Sequence, residues 1–176
     1  MTRSFKTQLA GQIGESLVVA ELGRREIVAT AFAGNVPDID ILAYGNQRTL
    51  PLQVKAWRSG SVHFDAKRFI HIAFEGERQS ISGVDDTLDG ELIYVFVKIG
   101  EGAEADRFFI LLQKDLQQII LHNYSDWLNK HNGVRPRNPK TTHCAVELNS
   151  LVHFENNWNL IEKRFGMDLR KFSKQD

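Results

Sequence analysis

The chain has a single cysteine, Cys144, in 176 residues. It cannot close an internal disulfide, so packing and hydrogen bonds must carry the fold, and a reducing, cytoplasmic setting is expected. An excess of either charge is also missing, because 22 Lys and Arg offset 22 Asp and Glu. A passive coat protein on nucleic acid draws its affinity from many phosphate contacts, and a neutral chain does not suit that role. Neutrality still allows a cleft that takes one short segment. Long apolar runs are absent, and "SLVVAEL" and "LIYVFVKI" are too short to span a bilayer. No basic segment followed by an apolar one opens the chain, so no signal peptide is expected. There is no internal repeat and no low-complexity tract.

What is present is ordinary for a globular chain with a core: 42% hydrophobic and 25% charged residues. The length suggests one domain over residues 1–150, with 151–176 adding a closing helix and a mobile tail to that same domain. The charge is unevenly spread. Residues 61–125 hold 6 basic and 11 acidic side chains, and residues 126–176 hold 9 and 6. The C-terminal third is therefore the side expected to meet phosphate.

Periodicity predicts a helix from about Phe5 to Arg25, with Leu9, Ile13, Leu17, Ala20 and Leu22 as its apolar positions and Ser4 as its N-cap. Gly11 and Gly14 weaken a helix interior by roughly 1 kcal/mol each, which suggests that a neighbouring strand approaches closely there. Strands are predicted at "EIVATAFA", "DIDILAY", "TLPLQVKAW", "FIHIAF", "ELIYVFVKI" and "RFFILL", with turns at "AGNVP" and "GNQ". Pro51 belongs near the start or edge of its strand, since it cannot donate to a ladder. An amphipathic helix follows at "LQKDLQQIILHNYSDWLNKHN". Short strands at "HCAVEL" and "LVHF" and a closing helix at "ENNWNLIEKRF" complete the chain. This order predicts an α/β (α+β) fold with a central mixed sheet flanked by helices.

The chemistry concentrates in "PDIDILAYGNQRTLPLQVKAW". A strand alternates its side chains, so Asp38 and Asp40 are expected on one face, and Gln53 and Lys55 on one face of the returning strand. Paired through the turn, they bring together an acid, a neutral oxygen and an ammonium. That set suits phosphodiester hydrolysis. Mg²⁺, or Mn²⁺ in its place, takes carboxylate, carbonyl and water oxygens and generates a nucleophilic water beside a phosphate. Gln53 offers its side-chain oxygen and Val54 its backbone carbonyl. Lys55 can stabilise transition-state charge or orient the water. Glu15 stands alone in the apolar part of the first helix and can reach the site if that helix crosses the sheet.

The order of a helical Glu, an Asp at a strand opening and a strand with Gln-x-Lys resembles the PD-(D/E)XK nuclease superfamily, the restriction-endonuclease-like and Holliday-junction-resolvase-like enzymes. The resemblance covers roughly the first 60 residues, "GQIGE … PDIDI … LQVKAW". It aligns Glu15 with the helical acid, Asp40 with the strand acid, Gln53 with the variable position in its QxK form, and Lys55 with the lysine. Asp38 fits the literal "PD" and is the alternative acid. The resemblance implies a four-stranded mixed sheet flanked by helices, Mg²⁺ dependence, and DNA as substrate, with RNA as the alternative. Many such enzymes act as homodimers. Gln53 in place of an acid also admits a second reading, a catalytically inactive binding module on the same fold.

Outside this segment, Arg135, Arg137 and Lys140 in "GVRPRNPK" are candidate phosphate contacts. The histidines lack zinc-ligand spacing, so His71 reads as a strand histidine and Cys144 as a core thiol. Trp127 and Trp158 read as helix-borne core aromatics.

Overall fold

The computed structural model describes residues 3–33 and 36–167, apart from the side chains of 3, 4 and 103. The Ser4 side chain expected to cap the first helix and the expected mobile tail 168–176 lie outside what is described; the helix itself already runs from Arg3. The fold is mixed α and β, with a central five-stranded sheet flanked by helices. The chain divides into two compact units, one of Met1–Ser59, Leu92–Leu111 and Val152–Asp176, the other of Gly60–Glu91 and Leu112–Leu151. Among the described residues no helix is long and apolar enough to cross a membrane.

The first unit is built on the five-stranded sheet, ordered β1-β2-β3-β7-β8. Its strands are β1 (Val28–Ala31), β2 (Ile41–Gly45), β3 (Arg48–Trp57), β7 (Ile93–Lys98) and β8 (Arg107–Leu112). β1, β2 and β3 pair antiparallel, whereas β3 and β7 pair parallel. β2 and β3 form a hairpin through Asn46 and Gln47, both left-handed with φ of 46° and 60°. A two-residue turn of that hand matches the right-handed twist of the strands. β7 is almost wholly buried, and its sequence, "IYVFVK", is correspondingly apolar on both faces. Pro51 lies one residue before β3 meets β7 at Leu52, where its missing N–H costs no parallel ladder bond.

Helix α1 (Arg3–Gly23) lies on this sheet. Its buried row is Ala10, Gly14, Val18 and Leu22, spaced by four. The expected apolar positions Leu9, Ile13 and Leu17 are only half-buried and Ala20 is exposed. The row carrying the smaller residues won the sheet because a small side chain allows a closer backbone approach. Helix α3 (Asn159–Arg164) closes the unit. Asn157 donates to the Ile110 carbonyl at 3.2 Å, and Asn46 to the Phe165 carbonyl at 2.8 Å.

The second unit contains two antiparallel ribbons and a helix. β4 (Val62–Asp65) pairs with β9 (His143–Val146), and β5 (Ile70–Glu75) pairs with β6 (Arg78–Val84). Helix α2 (Gln113–Lys130) buries Leu116, Ile120, Tyr124 and Leu128. It also donates amide hydrogens outward: Gln117 Nε2 bonds the carbonyls of Phe69 (3.0 Å) and Asp85 (2.7 Å), and Asn123 Nδ2 that of Ala145 (3.2 Å). "LVHF" is not a strand; its Val152–Phe154 forms a 3-10 turn.

Candidate metal and phosphate site

The site lies at the opening of β2. Ile41 opposite Leu52 is the last β2–β3 pair. Asp40 still donates its backbone N–H to the Leu52 carbonyl at 2.9 Å, and its own carbonyl accepts from Phe32 at 3.0 Å. β2 itself begins only at Ile41. The Val54 N–H bonds the carboxylate of Asp40, at 2.8 Å to Oδ2. The same oxygen accepts from the Gln53 amide, Nε2. Two donors from β3 thus fix the Asp40 carboxylate at an open strand edge. Hydrogen bonds to a carboxylate are among the stronger ones, each contributing about 1.5–3 kcal/mol.

Asp38 differs from the expectation. It sits in a turn with φ of 62°, exposed, and the strand starts only at Ile41. Asp38 and Asp40 therefore do not share a strand face. Left-handed backbone after Pro37 suits Asp, whose short polar side chain tolerates it. The convergence of Asp40 with β3 arises from the strand end rather than from alternation along β2.

Glu15 comes from α1. One residue before it, Gly14 rests against Ala56 and Val54 of β3: a Cβ on Gly14 would collide with the Ala56 Cβ and lie 3.5 Å from Val54 Cγ1. The glycine thus marks the close helix–strand approach expected from the sequence. Gly11 has open space around it and marks none. Glu15 is half-buried, and its carboxyl is pushed above the ordinary range, first by burial and then by the negative charge of Asp40, with Lys55 pulling it back down. Asp40 and Lys55 therefore both lie within electrostatic reach of Glu15. Gln53 is buried and Lys55 half-buried. Alternation along β3 turns both away from the Val54 and Ala56 side that meets α1.

The fold has a solved counterpart. It is similar to the structure of a bacterial homing endonuclease, I-Ssp6803I, with a TM-score of 0.51 and 14% identity. The match covers 91% of this chain and 95% of that one. At such identity the likeness is one of fold. No family model and no curated protein matches the chain.

The other predicted contacts lie in the second unit. Arg135 is buried, with its guanidinium carbon 4.8 Å from the ring centre of Tyr124 and 4.4 Å from that of Trp127. Its Nη2 donates to the His143 carbonyl at 2.7 Å. Arg137 and Lys140 are exposed. Sequence reading missed one group there. His71, Asp85 and Asp86 bring three ligand atoms within 4.8 Å of one another, although Asp85 already accepts from the Thr87 N–H (3.0 Å) and hydroxyl (2.6 Å). Only the Asp-Asp doublet signalled it, and the histidine lies across the ribbon. Cys144 is buried, and burial raises its thiol to about 11, as befits a core residue.

Proposed function

We propose that the chain is a metal-dependent nuclease of the PD-(D/E)XK kind that hydrolyses phosphodiester bonds in DNA. The observation that carries this is the Asp40 carboxylate, held by the Val54 N–H and the Gln53 amide beside Glu15 and Lys55. The same four side chains match the motif read from the sequence. The fold similarity to a homing endonuclease supports DNA as the substrate.

The residues suit a hard divalent ion. Two carboxylates close enough for the charge of one to hinder ionisation of the other are stabilised by a cation between them. Glu15 and Asp40 would hold Mg²⁺ or Mn²⁺, with the Gln53 side-chain oxygen and the Val54 carbonyl as further hard donors. A bound ion would supply polarisation of the phosphate and an acidified water. The protein's own work is positioning. β3 fixes one oxygen of Asp40, Gly14 sets the depth of Glu15, and Lys55 places a positive charge where phosphate charge builds up.

A cleavage assay on supercoiled and linear DNA tests this, with Mg²⁺ or with EDTA. The expected result is metal-dependent cutting that falls by about 10²–10³-fold in Lys55→Ala, and likewise in Asp40→Asn, with both variants folded. Cutting by both at the wild-type rate would overturn the reading. A folded wild-type protein that cuts nothing would favour the inactive binding module, which the neutral Gln53 side chain motivates.

A further inference from the structure

The second unit contains a groove of 410 Å³ lined by Lys67, Phe74, Gly76, Lys140 and Thr142. This lining has two ammonium groups and no carboxylate. Among the described residues neither lysine makes an ion pair. Phe74 leaves 40% of its surface exposed.

The backbone beneath both lysines is fixed. Asp65 caps the 3-10 turn Ala66–Arg68 by accepting the Lys67 N–H at 3.2 Å, and the same oxygen accepts the Thr142 hydroxyl. The Lys140 N–H donates to Asn138 Oδ1 at 3.2 Å. On either side of Lys140, the carbonyls of Pro139 (2.5 Å) and Thr141 (3.2 Å) accept from the buried Gln79 amide. Holding the roots of two long side chains lowers the ordering cost when a ligand pairs with them.

We propose that this groove binds a nucleic-acid strand, with Lys67 and Lys140 paired to phosphates and Phe74 stacked on an unpaired base. Cations that track a backbone beside an exposed aromatic ring form the usual combination for sequence-tolerant strand binding. The inference goes beyond the nuclease reading, because it assigns a binding surface within the second unit and needs no metal.

The test is fluorescence anisotropy of the full chain with a labelled oligothymidine in EDTA, over a series of salt concentrations. Lys67→Ala/Lys140→Ala should flatten the log–log salt slope by about 1.4, at about 0.7 per phosphate contact on a single strand. Phe74→Ala should weaken binding about tenfold and leave the slope unchanged. A wild-type protein that does not bind, or a double variant with the wild-type slope, overturns the groove. The nuclease reading is separately exposed. Lysine-dependent binding without Mg²⁺-dependent cutting keeps the groove and removes the nuclease; cutting with binding unaffected by the lysine variants does the reverse.

Discussion

Two buried glutamines on strands, Gln53 in the first unit and Gln79 in the second, look alike in the sequence and do opposite work. Gln79 is saturated. Its amide hydrogens reach the carbonyls of Pro139 and Thr141, its oxygen accepts the Tyr124 hydroxyl at 2.5 Å, and its backbone N–H bonds the Gly133 carbonyl at 2.8 Å. It fastens the loop after α2 to β6. Gln53 instead donates to a carboxylate that already takes a backbone N–H, next to a second carboxyl under electrostatic strain. A buried polar group with every partner supplied is structural. One that serves a carboxylate beside a second, raised carboxyl fits the cation we propose there.

The largest expected stability effect breaks the Gln79 side of that contrast. Gln79→Leu leaves the Pro139 carbonyl without its donor and the Tyr124 hydroxyl and Thr141 carbonyl with only each other, at 3.3 Å, and should cost about 3 kcal/mol in denaturant unfolding. Gln53→Leu should cost clearly less, because only Asp40 loses a donor. Equal losses would erase the distinction.

Gly14→Ala comes next. The added methyl collides with Ala56, and overpacking of this kind costs about 1–3 kcal/mol. It should also lift Glu15 away from Asp40 and weaken Mg²⁺ binding, measured by calorimetry. The double variant Gly14→Ala/Ala56→Gly moves the methyl to the other side of the contact and should restore both. Failure to restore binding would mean that helix depth does not set the site.

Gln53→Glu probes the other glutamine. A third carboxylate beside Asp40 should tighten Mg²⁺ binding and make the metal-free protein lose stability as pH rises. The smallest effect is expected from Glu15→Gln. The raised Glu15 carboxyl keeps its proton in the folded state at a pH where the unfolded chain has released it. Stability of the metal-free protein should therefore decline as pH climbs from the ordinary glutamate range through the folded value. Removing the charge should flatten that decline and leave the variant slightly more stable at neutral pH in EDTA, while Mg²⁺ no longer stabilises it. A pH profile of thermal unfolding that matches the wild type would contradict the strain assigned to Glu15.

The legibility of the chain follows the length and burial of its elements. β7 and β8 were readable because buried strands are continuously apolar, and α2 because it is long and amphipathic. β6, "RQSISGV", was not, since one exposed ribbon needs no apolar run, and β4 has only four residues. "LVHF" misled because a short apolar cluster fits a strand or a 3-10 turn equally well. At the site, the order Glu15, Asp40, Gln53, Lys55 was legible as a pattern of residue types. The expectation for Asp38 failed because alternation presumes a strand, and Asp38 precedes one.

Residue order specifies which chemical groups exist and how far apart along the chain they stand: two acids, an amide and a lysine on elements whose periodicity is local. Their approach to one another is a product of folding. The end of β2 at Ile41 leaves a β3 amide without a strand partner, Asp40 fills that vacancy, and Gly14 lets α1 come close enough to bring Glu15 beside it. Strand ends and helix depth are set by packing between segments distant in sequence, and no local pattern encodes them.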